Sequence, residues 1–308
     1  MRTKAQQSPA TDLILPALPL AEWQATYDTL HMWTQMVGKV RLMECPAVNH
    51  WWGVALYVTA NGLTTSPIPF GHGSLEIWFD FIEHKLVIET SRGEVRELAL
   101  EPQSVAEFYG KFMAALHQLG IDIRIYTMPV EFPNPIRFEK DDVHAAYDAD
   151  AVSRFWRILL WSDTVLKEFR ARFIGKASPV HFFWGSFDLA ATRFSGRVAP
   201  ARPGADAITA EAYSHEVSSA GFWPGGNGVE GAAYYAYAAP QPQGFAEYKV
   251  QPATAFYDSN LGEYLLRYDD VRRADSPKET LMDFLQTTYE AAAILGKWDR
   301  AALERAGK

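Results

Sequence analysis

Residues 74–100 read SLEIWFDFIEHKLVIETSRGEVRELAL, and this stretch sets the fold class. The runs SLEIWFDFI, KLVIET and EVRELAL have strand composition, and IEHK and SRG between them are turn segments of the kind that join antiparallel neighbours. An earlier strand-like run, WWGVALYVT, leads into them through the turn ANG. Upstream, Trp23, Tyr27, Leu30, Trp33 and Val37 recur at helical spacing and predict a helix over 23–37 with one buried face. Downstream, Pro102 opens a second helix with the apolar stripe Val105, Phe108, Phe112, Leu116 and Leu119, closed by Gly120. A further strand, DIRIYTM, is expected after it.

A proline-rich, charged connection, PVEFPNPIRFEKDDVHAAYDAD, precedes a restart of the pattern. A helix over about 152–173 leads into a long strand, VHFFWGSFDLAATRF. Past the loop APARPGADAITA come a strand holding His215 and Glu216, then AAYYAYAA, then extended pieces at TAFYD and EYLLRY. Ser276, Pro277 and Glu279 announce the last helix as a capping box, and Gly296 ends it. The halves share residues in the same order: Trp33 with Trp161, Trp52 with Trp184, Phe79 with Phe222, Phe108 with Phe284. The expectation is an α+β protein of two pseudo-repeats, each helix–antiparallel sheet–helix, packed as one compact unit. Its parts are a flexible arm over 1–21, repeats over 22–130 and 151–300, and a linker over 131–150, with the candidate pocket in the second repeat.

The 308 residues are 48% hydrophobic and 14% aromatic, so large rings must be buried or used. Against 37 acidic residues stand 29 basic ones, a net charge of −8, which argues against nucleic acid and anionic lipid as partners. No run of about 18 apolar residues occurs, so no membrane span is expected. The single cysteine, Cys45, excludes an internal disulfide and fits a reducing, cytoplasmic setting. Oligomeric state and cofactor are unknown at this level.

The segments YDTLHMW, HFFWGSFDLAATRFSGR, SHEVSSAGFWPGG and FYDSNLGEYLL resemble those of an uncharacterised bacterial family, domain of unknown function 5996. The resemblance runs from about Trp23 to Gly296. It implies no activity and carries over no catalytic residue.

Candidate site residues come from strand phase. His215 shares a face with Tyr213, Val217 and Ser219, whereas Glu216 lies with Ser214, Ser218 and Ala220, so only a β-bulge brings the pair to one ligand. The preceding strand sorts the same way: His181, Phe183, Gly185, Phe187 and Leu189 form one mostly apolar face, and Phe182, Trp184, Ser186, Asp188, Ala190 and Thr192 the other. Asp188, mid-strand among aromatics, needs a partner or a raised pKa. Arg193 and Arg197 are the nearest cations, and a structural Asp–Arg pair is the plain alternative to a site. Tyr235 and Tyr237 share a face that either contacts a helix or walls a pocket.

The expected pocket therefore gathers Asp188, Glu216 and His215 as acid–base groups, with Ser186, Ser218, Arg193, Trp184, Tyr235 and Tyr237 binding a small-molecule ligand. Two functions fit: an enzyme doing acid–base or hydrolytic chemistry, or a non-catalytic binding or interaction protein. No metal is expected. No HxH, HExxH or HxxxH occurs, and His181 and His215 would need Glu216 or Asp258 to converge with them; each histidine is expected to be hydrogen-bonded in the ordinary way. His50 and His72 are weaker candidates, and His84 sits in a turn. GNGVEG at Gly226–Gly231 matches a dinucleotide fingerprint in letters but opens no helix. GHGSL around Ser74 is no nucleophile elbow. The basic run KEFRARFIGK complements a helix C-terminus.

Overall fold

The computed structural model describes residues 15–226 and 229–305, beginning with helix α1 (Leu20–Glu44). Two short turns over Asn49–Val54 lead to β1 (Tyr57–Val58), β2 (Gly62–Thr64), β3 (Ile68–Phe70), β4 (Gly73–Asp80), β5 (Lys85–Thr90) and β6 (Val95–Ala99), followed by α2 (Val105–Gln118). These strands form one sheet in the order β1-β2-β4-β5-β6, with β3 also on β4. After an irregular stretch, α3 (Ala149–Ala171) precedes β7 (His181–Phe183), β8 (Asp188–Val198), α4 (Ala207–Ala212), β9 (His215–Trp223), β10 (Ala233–Ala239), β11 (Phe256–Asp258) and β12 (Glu263–Arg267). The second sheet runs β7-β8-β9-β10-β12-β11, and α5 (Tyr268–Arg272), α6 (Pro277–Leu295) and α7 (Arg300–Leu303) close the chain. Every pairing in both sheets is antiparallel, so the fold is α+β.

Local chemistry explains most boundaries. Ser104 caps α2 by accepting from the Glu107 amide, and Gly120, at φ 73°, lets the Ile121 amide return to the Leu116 carbonyl. Asp148 caps α3. Ser276 and Pro277 stand where the capping signature puts them, although the Ser276 side chain makes no capping bond. Of the arm expected over 1–21, residues 1–14 lie outside the described residues. Leu15 and Leu18 are buried, and the Tyr268 hydroxyl donates to the Pro16 carbonyl at 2.8 Å.

Several segments depart from expectation. WWGVALYVT is mostly turn; Trp51, and His50 just before it, are left-handed at φ 60° and 59°. The long strand expected over 180–194 is a hairpin: β7 and β8 meet through the turn 184–187, where Phe187 has φ 60°. Phe182, Phe183 and Trp184 lead into that turn and Phe187 closes it, so its composition reads as strand. Because the hairpin resets strand phase, Phe183 stands directly opposite Asp188 and shares its face. The loop APARPGADAITA ends in α4, capped by Asp206.

DIRIYTM is not a strand, although Ile121, Ile123 and Ile125 are buried. Its continuation finds its hydrogen bonds on α1 instead. From Thr29 to Arg41 every α1 residue is buried, so the helix buries all its faces rather than one. Its polar side chains hold backbone that no strand pairs with. Gln35 donates to the Val130 carbonyl at 2.8 Å and accepts from the Val130 amide at 2.9 Å, the exchange a neighbouring strand would have made. Lys39 donates to the Tyr126 carbonyl at 2.8 Å and to that of Met128, and Arg41 to that of Gly53 at 2.8 Å. His31 Nε2 lies 3.0 and 2.9 Å from the Trp184 and Gly185 carbonyls, which makes it the N–H tautomer there, and burial lowers its pKa to about 4. Mid-helix Gly38 is explained by contact: an added Cβ would lie 2.2 Å from the Trp184 ring.

The two sheets meet at one point. Leu56, just before β1, and Phe182 in β7 exchange amide-to-carbonyl bonds of 2.9 and 2.8 Å. A continuous buried apolar cluster extends across both halves, from Trp33 and Phe108 to Tyr234 and Phe284. Replacing Gln35 by Ala strands both backbone groups of Val130, and we expect it to cost about 1–2 kcal/mol in urea unfolding. The Val130 amide should then exchange with solvent faster than in the parent; unchanged exchange would show that Gln35 does not hold this segment.

Candidate functional site

Strand phase sorts the second sheet into two faces. Leu189, Phe222 and Tyr234 are buried in the apolar core, where Ser162 of α3 bonds the Tyr234 hydroxyl at 2.9 Å. The opposite face carries Asp188, Thr192, Val217, Ser219, Tyr235, Tyr237 and Glu263, and it forms one wall of a cavity of about 900 Å³. The facing wall comes from the first half and the turn before β8: Lys39, His50, Trp51, Trp52, Tyr126, Glu131 and Trp184. The cavity thus lies where the two halves join, a common setting for ligand sites.

Asp188 is 7% exposed and opens β8 directly after the turn whose carbonyls His31 holds. Tyr235 donates its hydroxyl to Oδ2, and Ser186 donates to Oδ1 at 2.5 Å. Burial raises the Asp188 pKa, against the lowering effect of those two bonds. The expected Asp–Arg pair is absent: phenol and hydroxyl donors take the place of a cation. Gly221 makes this geometry possible. It sits opposite Tyr235 across the β9–β10 pairing, and a Cβ there would stand 2.6 Å from the Tyr235 hydroxyl.

Glu263, first in β12, was not singled out from sequence and is half-buried in the same cavity. Burial first, then the charges of Asp188 and Asp258, push its pKa up to about 7. Glu131 was also missed. It belongs to the proline-rich connection, is exposed at the mouth, and has its Oε1 2.8 Å from where a Gly185 Cβ would be. Strand phase could have flagged Glu263, two residues from buried Leu265 on one face; no pattern marks Glu131.

At another part of the wall His50 Nδ1 faces the Glu211 and Ala212 carbonyls at 3.1 and 3.3 Å, so Nε2 accepts from the Lys176 ammonium at 2.6 Å. Burial, reinforced by Lys176, lowers the His50 pKa. His215 lies next to it, with ring centroids 5.6 Å apart, and does not reach Asp188's neighbourhood. The Tyr213 and Tyr237 hydroxyls are 2.9 Å apart, and the Tyr235 and Tyr237 rings stack at 6.2 Å.

Three expected members lie elsewhere. Glu216 is on the opposite face of the sheet from Asp188 and pairs with Arg197 at 2.6 Å, while Arg197 also donates to the Gly296 carbonyl. Ser218 stands opposite Arg193 on that same face. Arg193 itself is buried, with its guanidinium 3.5 Å from the Phe169 ring centroid and 4.3 Å from that of Tyr289. The irregularity in the β8–β9 pairing falls between Phe194 and Val198, and it leaves His215 and Glu216 apart. Asp188, Ser186, Trp184, Tyr235 and Tyr237 do line the cavity together.

His181 departs from its expectation too: it is fully buried, and neither ring nitrogen meets a partner among the described residues. Burial, then Arg41, lowers its pKa to about 3. His84 is half-buried and bonds the Tyr147 hydroxyl at 2.9 Å. Among the described residues no three His, Cys, Asp or Glu side chains gather as metal ligands. Within GNGVEG, Asn227 and Gly228 lie outside the described residues.

Glu263 holds its proton more tightly folded than unfolded. Its favourable contribution is therefore complete below the unfolded carboxyl range and is lost as pH rises to about 7. Glu263→Gln has no charge to desolvate; it should be more stable than the parent by about 1–2 kcal/mol at about pH 8 and no different at about pH 4. Urea unfolding across that range checks this, and a difference independent of pH would contradict it.

No described helix is long and apolar enough to cross a membrane. No curated protein and no solved structure matches the chain. A family model, "Family of unknown function (DUF5996)", matches residues 15–305. The match spans both sheets and every residue of the cavity wall, and the chain belongs to this family of unknown function, DUF5996.

Proposed function

We propose that this protein is an enzyme that moves a proton on a small molecule held in the aromatic cavity, with Glu263 as the group that takes or gives it. The observation that carries the reading is a carboxyl inside a cavity of about 900 Å³ whose pKa is pushed up to about 7. A general acid–base group works best when its pKa lies near the operating pH. Asp188 has a different part. Both its oxygens accept from hydroxyls, and its charge is one of the causes that raise Glu263. It is a positioning group that tunes Glu263, supported by Tyr235 and Ser186. Glu216, Arg193 and Ser218 have no step in this scheme, and His215 acts at most through His50.

A binding role without chemistry is the second reading. It is favoured by the engagement of Asp188, each of whose oxygens already accepts a hydroxyl, and by the ring-lined wall. The two readings part at Glu263.

Two pseudo-repeats are supported by the common order helix, antiparallel sheet, helix, and by Phe79 and Phe222, each fully buried and each opposite a leucine, Leu63 or Leu189. Trp52 and Trp184 weaken it, since one precedes and the other follows the first strand of its half. The lone Cys45 supports a cytoplasmic setting.

A thermal-shift screen of metabolites supplies ligands, and those that stabilise are assayed for turnover. Glu263→Gln is expected still to bind ligand at saturating concentration, a cationic one more weakly, and to lose about 10²- to 10⁴-fold in kcat. With Glu263 as base, kcat should rise with pH through about 7. Asp188→Asn should move that limb to lower pH, because it removes a charge that raises Glu263. Full turnover in Glu263→Gln would defeat the proposal; binding with no turnover in the parent would favour the second reading.

A further inference from the structure

We infer that the cavity takes an organic cation, a small molecule bearing a substituted ammonium group. The inference rests on the cavity being the ligand site of the proposed enzyme and adds the class of ligand. The charges on the wall are one-sided. Asp188, Glu263, Glu131 and Asp206 line it, whereas Lys39 is the one ammonium among the described lining residues. Lys39 is already committed to the Tyr126 and Met128 carbonyls, and burial lowers its pKa to about 8. His50 gives no free donor either, since Nδ1 faces two carbonyls and Nε2 accepts from Lys176. An anionic ligand would meet carboxyls and no uncommitted cation.

Ring faces supply the rest of a cation site. Trp51, Trp52, Trp184, Trp223, Tyr235 and Tyr237 all line the cavity, and cations favour the electron-rich faces of such rings. The protein uses this itself: the Lys176 ammonium lies 5.5 Å from the Trp52 ring centroid and 5.0 Å from that of Phe194. A ligand cation would also relieve the repulsion between Asp188 and Glu263.

Choline and its uncharged isostere 3,3-dimethyl-1-butanol test the inference, because they share shape and hydroxyl and differ in charge. Binding to the full chain is followed by quenching of tryptophan fluorescence and by thermal shift. Choline is expected to bind in the millimolar range or tighter and at least about tenfold more tightly than the isostere. Glu263→Gln should weaken choline by about tenfold and leave the isostere unchanged. A choline response no larger than that of the isostere, including no response to either, overturns the cation inference. The proton-transfer proposal is then still judged separately, by turnover of the Glu263 and Asp188 variants on whatever ligand the screen returns.

Discussion

A helix buried on every side is the constraint on which the rest of this structure depends. Between Thr29 and Arg41, α1 exposes no residue, yet its sequence includes His31, Gln35, Lys39 and Arg41. Burying such groups unpaired would be costly, so each must find a partner in the interior. The partners are backbone groups of segments that belong to no sheet: Gly53, Tyr126, Met128, Val130, Trp184 and Gly185. The exchange is mutual. His31, Gln35 and Lys39 find acceptors, Arg41 does so through Nε, and irregular backbone that would otherwise be unpaired is held in place.

That exchange positions the cavity. Trp184 and Gly185, held by His31, form the turn that delivers Ser186 and Asp188; Tyr126 and Val130, held by Lys39 and Gln35, form the facing rim. The second sheet contributes the remaining wall through the phase of its strands. Gly221 leaves room for Tyr235 to lie across β9 and reach Asp188. The electrostatics follow from this geometry. Carboxyls that neither solvent nor a cation can stabilise keep their protons longer, as Glu263 does at about 7, while the lysine and histidines of the same region lose theirs more readily. The proton affinities of Glu263 and Lys39 are drawn toward neutrality in one cavity, and this supports reading it as a place where protons move.

Legibility followed the range of the interactions. KLVIET coincides with β5, β6 falls within its run and β4 does so but for Gly73, because short turns and strand composition act between adjacent residues. The faces of β10 were readable for the same reason, so Tyr235 and Tyr237 were correctly paired. The hairpin at Trp184–Phe187 was not readable. Its turn contains one glycine and a left-handed phenylalanine, and it is held by a histidine 154 positions away from Gly185. Missing it put Phe183 on the wrong face relative to Asp188. The assumption that Glu216 shares a hollow with Asp188 failed on the geometry of the β8–β9 pairing.

The sequence by itself determined the α+β class, the antiparallel hairpins, the helix ends at Gly120 and Gly296, and the family, since these rest on local periodicity, turn chemistry and residue identity. It also singled out Asp188, because a carboxylate among strand aromatics is conspicuous wherever it lies. Only the tertiary structure decided that Tyr235 and Ser186, not arginine, hold that carboxylate, and that Glu263 and Glu131 share its cavity. The reason is physical: a proton's affinity and a donor's partner depend on what lies within a few ångströms in space. That neighbourhood is assembled here by a helix and a sheet far apart along the chain.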